Sequence, residues 1–522
     1  MDATWVSLLP PLLVIAVILV TQQLNVSLAI GIVCAGLIAA RGNMIIALRL
    51  CVEKFITHIT DIDNVYLYVV LVFISSLIVL LTITGSAAGC ARIIGKKIRT
   101  KRSVEVSSIF LALLLSIDDY LSILTVGFVM KPIADRLAVA RTKLAYIMHA
   151  LAGPLVIIMP ISTWAAAVLV QFDNAGIGNH AASKIVGDVF YVYLKTVPFI
   201  FYSLILVVSV CFVVWRKISF GALAQDERDA VVIIDEHEDL SGQAKEHSLI
   251  EIIMPIGLLV GGVFFGILYA GNYSLFGGGN SLVDAFREND KTFFIFFVSG
   301  CAAFVSTLIL ALCKKMIHFQ QIPAIVWEGF LSMKSSITMV ILASMLGSFL
   351  RLDLHTGSYV AYLLLGAMPL FLIPVMVFIV SLAITSATGS AWGTFSLLIP
   401  IVTEMLISLL QLKAPVVLDA IPLLFPTLGA LLSGAACGNH ISPLADTTVL
   451  TATSAGIEPL EHARTQFAYS LPVVLGAFVA FVMSGLLCNN GLYISFFSSF
   501  GVGMGVCLVW LVVGNQFCKK HE

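Results

Sequence analysis

Residues 105–131 read EVSSIFLALLLSIDDYLSILTVGFVMK. A stretch of roughly 20 apolar residues crosses a bilayer as a helix, and this one is long enough. At its middle stand two adjacent acids, Asp118 and Asp119, followed by Tyr120. A carboxylate at membrane depth costs roughly 2.5–3.5 kcal/mol even on the lenient insertion scale, so acids placed there are functional unless they reach an interface. Basic residues flank the stretch: Arg92, Lys96, Lys97, Arg99, Lys101 and Arg102 before it, and Lys131, Arg136, Arg141 and Lys143 after it. Short loops rich in Lys and Arg face the cytoplasm. A full crossing would put the two clusters on opposite sides. A re-entrant hairpin that turns at Ser116-Ile117-Asp118-Asp119-Tyr120 keeps both on one side.

The rest of the chain is of the same kind. Of its 522 residues 59% are hydrophobic and only 11% charged, with a mean hydropathy of +1.03; soluble chains carry about 25% charged residues. The chain is therefore a polytopic membrane protein, all-α, with the lipid bilayer as its surroundings and no soluble domain with its own core. Clear apolar spans run at 5–21, 26–40, 64–84, 144–170, 190–215, 249–270, 292–313, 336–350, 465–488 and 499–515. Segments 44–60 and 317–335 carry charges among apolar residues (Arg49, Glu53, Lys54; Glu328, Lys334) and are expected to be interfacial helices. The acidic stretch from Arg216 to His247 is expected to be a hydrated linker. The domain division is thus 1–215, a first membrane repeat; 216–248, a cytoplasmic linker; 249–490, a second repeat; and 491–522, an extra C-terminal span and tail. The N-terminus lacks a basic n-region and a cleavage site and is read as the first span. The cysteines lie mostly inside apolar segments and form no CxxC pair, so they are expected to pack rather than bind metal. A net charge of −1 argues neither for nor against a charged partner, and no nucleic-acid partner is expected.

The halves repeat. Thr84-Gly85-Ser86 is followed 34 residues later by Asp118-Asp119-Tyr120-Leu121-Ser122, and Thr356-Gly357-Ser358 at the same interval by Ser390-Ala391-Trp392-Gly393-Thr394. Further on, Met159-Pro160-Ile161-Ser162 parallels Asn439-His440-Ile441-Ser442. Loop counting puts the second hairpin, within 374–411, on the outer side. Two inverted repeats of about 10–12 transmembrane helices plus two re-entrant hairpins follow, a common transporter plan with its site near the midplane.

Polar clusters inside apolar segments supply the candidate site. Two adjacent acids repel and are desolvated together, so a proton and a cation compete for Asp118 and Asp119. Around the second tip, Thr388, Ser390 and freed carbonyls offer the hard oxygen ligands that Na⁺ prefers, although Gly389 and Gly393 equally fit a helix-packing face. Pro160-Ile161-Ser162-Thr163-Trp164 interrupts a span, and Ser162 and Thr163 can satisfy the freed backbone. The stretch Cys437 to Thr448 is dense in polar groups bracketed by Gly438 and Pro443. There Asn439, Ser442, Asp446 and Thr447 supply oxygens, and His440 is a proton carrier candidate. His149 reads as a hydrogen-bonded packing residue, and Glu404 as an acid facing water near the end of its helix. No GxxxxGK[ST], HExxH or GxSxG motif occurs, so ATP-driven transport and the hydrolases those motifs mark are not indicated, and no cofactor is expected. A passive channel, or an intramembrane enzyme using His440 and Asp446, is the reading from another class.

These clusters, in this order, resemble the NhaC-type Na⁺/H⁺ antiporter family of the wider ion-transporter group. The resemblance rests on Asp118-Asp119-Tyr120 with Val126-Gly127 and Pro132 to Arg136, Lys143 to Ile147, Pro160 to Trp164, Thr388 to Phe395 and Gly438 to Thr448, and spans about residues 60 to 470. It implies a secondary transporter, not an enzyme, in a bacterial inner (plasma) membrane. Na⁺ and H⁺ are its expected substrates, exchanged by alternating access; some relatives move carboxylates or amino acids, so Na⁺-coupled transport of a small organic anion or amino acid is the alternative. Many transporters of this plan form homodimers. Asp118 and Asp119 would carry the exchangeable proton, Asp446 would be a second acid, and Ser162, Thr163, Thr388, Ser390, Asn439, His440, Ser442 and Thr447 would orient or coordinate. Asp118, Asp119, Ser390, Asn439 and Ser442 form the expected Na⁺ set. The sequence departs from the family pattern in two places: Gly438-Asn439-His440 stands where Gly-Asp-His is usual, and His149-Ala150-Leu151 where Asp-Ser-Thr is usual, which makes His149 a candidate to replace the lost acid as a proton site.

Overall fold

A computed structural model describes residues 4–21, 23–86, 98–181, 183–231 and 250–520. The basic loop with Arg92, Lys96 and Lys97 and the acidic run from Asp235 to Asp239 lie outside the described residues. In chain order the main helices are α1 (Leu9–Thr21), α2 (Leu24–Ala39), α3 (Met44–Thr60), α4 (Ile62–Ile83), α5 (Lys101–Leu114), α6 (Asp119–Arg136), α7 (Arg141–Ala150), α8 (Thr163–Asn174), α9 (Val189–Thr196), α10 (Phe201–Arg216) and α11 (Ala222–Asp229). Then follow α12 (Ile250–Ala270), α13 (Leu282–Glu288), α14 (Thr292–Cys313), α15 (Ile322–Ser348), α16 (Thr356–Leu364), α17 (Ile373–Thr388), α18 (Ala391–Leu409), α19 (Leu424–Ile441), α20 (Asp446–Ala455), α21 (Pro459–Leu486) and α22 (Leu492–Lys520). Among the described residues eight helices are long and apolar enough to cross a membrane, and Val189–Phe199 with Phe201–Arg216 forms a further pair bent by 51°. The chain is an all-α, multi-pass integral membrane protein.

Both hairpins turn where the polar tips stand. Helices α5 and α6 meet across Leu115–Asp118, and α17 and α18 across Gly389-Ser390. The chemistry of the turns is local. Asp118 and Ser390, both good cap residues, occupy the N-cap of the returning arm, where their oxygens take up backbone N–H groups that the first turn leaves unpaired. Gly389 ends α17 at φ +70°, a left-handed conformation open to glycine at little cost. Each hairpin is followed by a broken helix: α7 and α8 in the first half, α19 and α20 in the second.

Three expectations are corrected. The apolar run 144–170 is not one span: α7 stops at Ala150 and α8 starts at Thr163, with Gly153-Pro154 and Pro160 in the gap. Segment 317–335 is no separate interfacial helix but the first part of a continuous helical stretch, Phe319–Asp353. Its charges sit on an exposed face, which leaves the rest of the helix to pack. Glu404 does not face water. It is buried and accepts from Ser358 at 3.1 Å, with His355 at 3.2 Å and Lys184 at 3.6 Å.

Lipid offers no hydrophobic drive between helices, so close packing by small residues carries the association. Helix α19 lies against α17 through Gly434 and Gly438, where an added Cβ would come within 2.5 Å of Phe378 O and Thr385 Cβ respectively. A second cluster joins α1 and α2 to α15 through Val14, Leu28, Ile32, Ala343 and Leu346. Three two-residue strands, β1 (Ile177–Gly178), β2 (Ile185–Val186) and β3 (Val416–Val417), pair in parallel in the order β1-β2-β3 and tie the loop after α8 to the one before α19.

Part of the expected hydrated linker is ordered. Helix α11 buries Leu223 and Ala224, and its Glu227 reaches Lys143 of α7 at 3.0 Å. The Lys143 side chain is only 2% exposed and that of Glu227 28%. Removing one partner of a buried pair leaves an uncompensated charge, whereas an apolar replacement of the buried partner does not. Glu227→Gln is therefore expected to destabilise by about 1–2 kcal/mol, less than a fully buried pair because solvent screens the glutamate, and Lys143→Met by less. Thermal unfolding of the two variants in detergent checks the order; a Lys143→Met melting point below that of Glu227→Gln would refute it.

Candidate functional site

The broken helices and the hairpin tips enclose one cavity of about 950 Å³. Four helix N-termini open onto it: α6 at Asp118 and Asp119, α8 at Thr163 and Trp164, α18 at Ser390 and Ala391, and α20 at Asp446 and Thr447. Each N-terminus carries about +0.5 elementary charge, which makes their meeting point a natural place for carboxylates. Three carboxylates stand at these helix ends, and a fourth acid, Glu328, lines the cavity from the exposed face of α15.

Asp118 accepts Leu121 N–H at 2.9 Å through Oδ1 and the Thr163 hydroxyl at 3.1 Å through Oδ2. Asp119 accepts Tyr120 N–H and Trp164 Nε1–H, both at 3.1 Å, one on each oxygen. Asp446 accepts Thr447 N–H at 2.9 Å through Oδ1, and the Tyr120 hydroxyl donates to its Oδ2. Asp118 and Asp119 are buried from bulk surface, so an ion reaches them only through the cavity.

The two polar tips are each fixed to the neighbouring broken helix. In the first half Thr163 N–H donates to Ile117 O at 3.0 Å. In the second, Asn439 Nδ2 donates to Gly389 O at 3.0 Å and Ser442 Oγ to Ser386 O at 2.8 Å. Tyr120 then bridges the halves to Asp446.

Of the residues expected at the site, Asp118, Asp119, Thr163, Thr388, Ser390, Asn439, Asp446 and Thr447 line the cavity. Three of the others point elsewhere. Ser162 caps α8 by accepting Ala165 N–H and donates to Val156 O. The Ser442 hydroxyl holds the second tip. His440 faces away, with Tyr202 OH at 2.7 Å from its Nδ1 and Gln466 against its Nε2. The unwound stretch is also shorter than the Gly438–Pro443 bracket suggests, because Gly438 to Ile441 are still helical and only Ser442 to Ala445 are not. Sequence reading missed the contribution of α15, whose Glu328, Ser332 and Ser336 line the cavity; their spacing of four residues in an otherwise apolar helix was the available signal. Among the described residues no three His, Cys, Asp or Glu side chains gather as a metal site.

A family model described as the Na⁺/H⁺ antiporter family matches residues 155–486. The chain belongs to the Na⁺/H⁺ antiporter family. The match takes in α8, both arms of the second hairpin and the broken helix α19–α20, and the Asp118 hairpin precedes it. This antiporter-family chain is 27% identical over 500 residues to an uncharacterized protein of Haemophilus influenzae, covering 93% of this chain and 91% of that one. Its fold is similar to that of the Alcanivorax borkumensis YdaH transporter, with a TM-score of 0.52 at 15% identity, over 85% of this chain and 89% of that one. The Neisseria gonorrhoeae MtrF structure aligns more loosely, with a TM-score of 0.46 at 13% identity over 85% of each chain. Family membership makes the protein a secondary transporter.

Proposed function

We propose that the protein exchanges Na⁺ for H⁺ across the bacterial inner membrane by alternating access, with Asp118, Asp119 and Asp446 as the groups that cation and proton occupy in turn. The observation that carries this reading is the charge balance where the four helix N-termini meet, leaving aside Glu328 on the exposed face of α15. The N-termini supply about +2, and the three ionised carboxylates at the helix ends supply −3. The remainder there is close to −1, which one Na⁺ or one proton neutralises, but not both. Hydroxyls of Thr163, Thr388, Ser390 and Thr447 and the Asn439 amide line the same space and offer the oxygens a hard cation takes. The shared order of hairpin and broken helix in the two halves supports two inverted repeats that rock about this site.

One observation favours a second reading. A cavity of about 950 Å³ lined by Tyr120, Phe128, Trp164 and Trp392 has the size and apolar walls of a small-molecule site, and helix N-termini favour anions. Na⁺-coupled movement of a small organic anion or amino acid fits that wall.

Purified protein in liposomes with an acidic lumen separates them. Na⁺ added outside is expected to alkalinise the lumen, and Asp118→Asn to abolish the response. Asn caps a helix about as well as Asp, so that loss reports the charge and not the fold. No response to Na⁺, Li⁺ or K⁺ from folded protein removes simple exchange. Na⁺-dependent uptake of labelled carboxylates or amino acids would then decide the second reading.

A further inference from the structure

Behind the cavity three buried imidazoles, His149, His440 and His462, come from three helices, α7, α19 and α21. His149 touches both others, with ring centroids 4.8 Å from His440 and 5.0 Å from His462. None lines the cavity. His149 is nevertheless joined to it through hydrogen bonds: His149 Nε2 lies 3.3 Å from Thr447 Oγ1, and Thr447 Oγ1 donates to Asn439 Oδ1 at 3.0 Å. On the other side His149 Nδ1 lies 2.9 Å from His462 Nε2.

The direction of every bond in this row follows from one acceptor. Gly389 O can only accept, so the Asn439 NH₂ faces it and Asn439 Oδ1 faces Thr447. An amide oxygen can only accept, so Thr447 must give its one hydroxyl proton to it. Thr447 Oγ1 then has only lone pairs for His149, whose Nε2 must carry a proton. In a neutral ring His149 Nδ1 is therefore an acceptor, and His462 Nε2 must be the donor. That leaves His462 Nδ1 as a bare lone pair, and it is buried without a hydrogen-bond partner. His462 stands in the first turn of α21, about 5 Å along the axis from its start. The adjoining turn is the one where Arg141 reaches Gly456 O at 3.3 Å, beside Lys131. The row thus runs from the second hairpin tip to the basic end of the molecule.

We propose that Thr447, His149 and His462 form a directional proton path between the cavity and that end; the transport role rests on the exchange reading above. A proton that binds His462 Nδ1 releases the Nε2 proton to His149 Nδ1. His149 gives its Nε2 proton to Thr447 Oγ1, and Thr447 releases its own hydroxyl proton into the cavity that it and Asp446 both line, where the Asp446 carboxylate takes it up. One proton enters, one arrives on the carboxylate, and both rings end neutral in the opposite tautomer. Turning of the rings restores the first arrangement. The titratable groups facing this row are His440 from α19, Asp446 from α20, and Tyr146 and Tyr469, whose rings pack at 5.0 Å between α7 and α21. His440 touches His149 through its ring but makes its hydrogen bonds away from the row, to Tyr202 and Gln466.

Two measurements test the path. In ¹⁵N-histidine protein, NMR is expected to find His149 and His462 protonated on Nε2 at rest, and Thr447→Val to release His149 from that tautomer. A resting His149 protonated on Nδ1 overturns the directional row whatever ion is carried. In liposomes, His462→Gln keeps a donor toward His149 but removes the entry nitrogen. It is expected to lower Na⁺-driven proton flux by about 10²-fold, the scale of one positioned proton-transfer group, and to flatten its pH profile. Parent-like flux and pH profile in folded His462→Gln overturn the transport role. A wild-type protein that moves no protons with any cation overturns the exchange reading and the transport role together, and the NMR result then stands alone on the row's direction.

Discussion

On the exchange reading, replacing Asp119 with Asn is expected to lower Na⁺-driven proton exchange by about 10³-fold. At an effective dielectric constant of about 20, two unit charges about 4 Å apart attract by about 4 kcal/mol, and each 1.4 kcal/mol is a factor of ten. With one carboxylate neutralised permanently, the remainder of about −1 at the helix ends becomes about zero, and neither Na⁺ nor H⁺ has a charge to meet there. A second penalty adds to this. Both Asp119 oxygens accept, one from Tyr120 N–H and one from Trp164 Nε1–H. The Asn NH₂ group must oppose one of those donors and leave it unpaired, at about 1–3 kcal/mol. Asp119→Glu retains the charge at the wrong reach and is expected to recover part of the activity, which separates charge from packing. Binding of radiolabelled Na⁺ and exchange in liposomes measure the two effects; an Asn variant that exchanges at the parent's rate removes Asp119 from the site.

The second large effect concerns packing. Gly438→Val is expected to destabilise by about 1–3 kcal/mol, the scale of an overpacked core, and to abolish transport in whatever protein still folds. A Cβ at Gly438 would stand 2.5 Å from Thr385 Cβ, 2.8 Å from Ser386 N and 2.9 Å from Leu382 O. Two of those atoms are backbone and cannot turn aside, so α19 and α17 must part. The next residue, Asn439, and Ser442 one turn on hold the second tip by bonds of 3.0 and 2.8 Å, which do not survive such a movement. Melting temperature in detergent and exchange in liposomes are the readouts. A Gly438→Val protein with parent-like stability and exchange would mean that the helices have room the geometry denies them.

Much of this was legible because the signals are local. Asp118 and Ser390 interrupt apolar sequence with residues that cap helices, and the chain turns there. Helix breaks inside apolar sequence were harder to see. From Leu151 to Ile157 nothing is polar, so 144–170 reads as a span kinked at Pro160 to Trp164, and only Gly153-Pro154 marks the earlier break. His462 was invisible for the opposite reason. Its neighbours Glu458, Glu461 and Arg464 are charged, which suggests water, whereas its own side of α21 is pressed against α7. Which side of a helix meets another helix is decided by tertiary packing, and no periodicity within α21 says that the partner at that level is His149. Glu404 fails the same way: a lone acid in an apolar arm looks like a residue seeking water until His355, Ser358 and Lys184 arrive from elsewhere in the chain.

The four helix N-termini at the cavity have one more consequence on the proposed reading. Their partial charges are built from the backbone and cannot be titrated or released, so they travel with neither substrate. The three acids at the helix ends, holding about −1 against them, are neutral with one Na⁺ and neutral with one proton, so the charge that crosses is the same each way. Such a cycle carries no current. The membrane voltage gains no purchase on it, and its direction is set only by the ratio of the two concentration gradients.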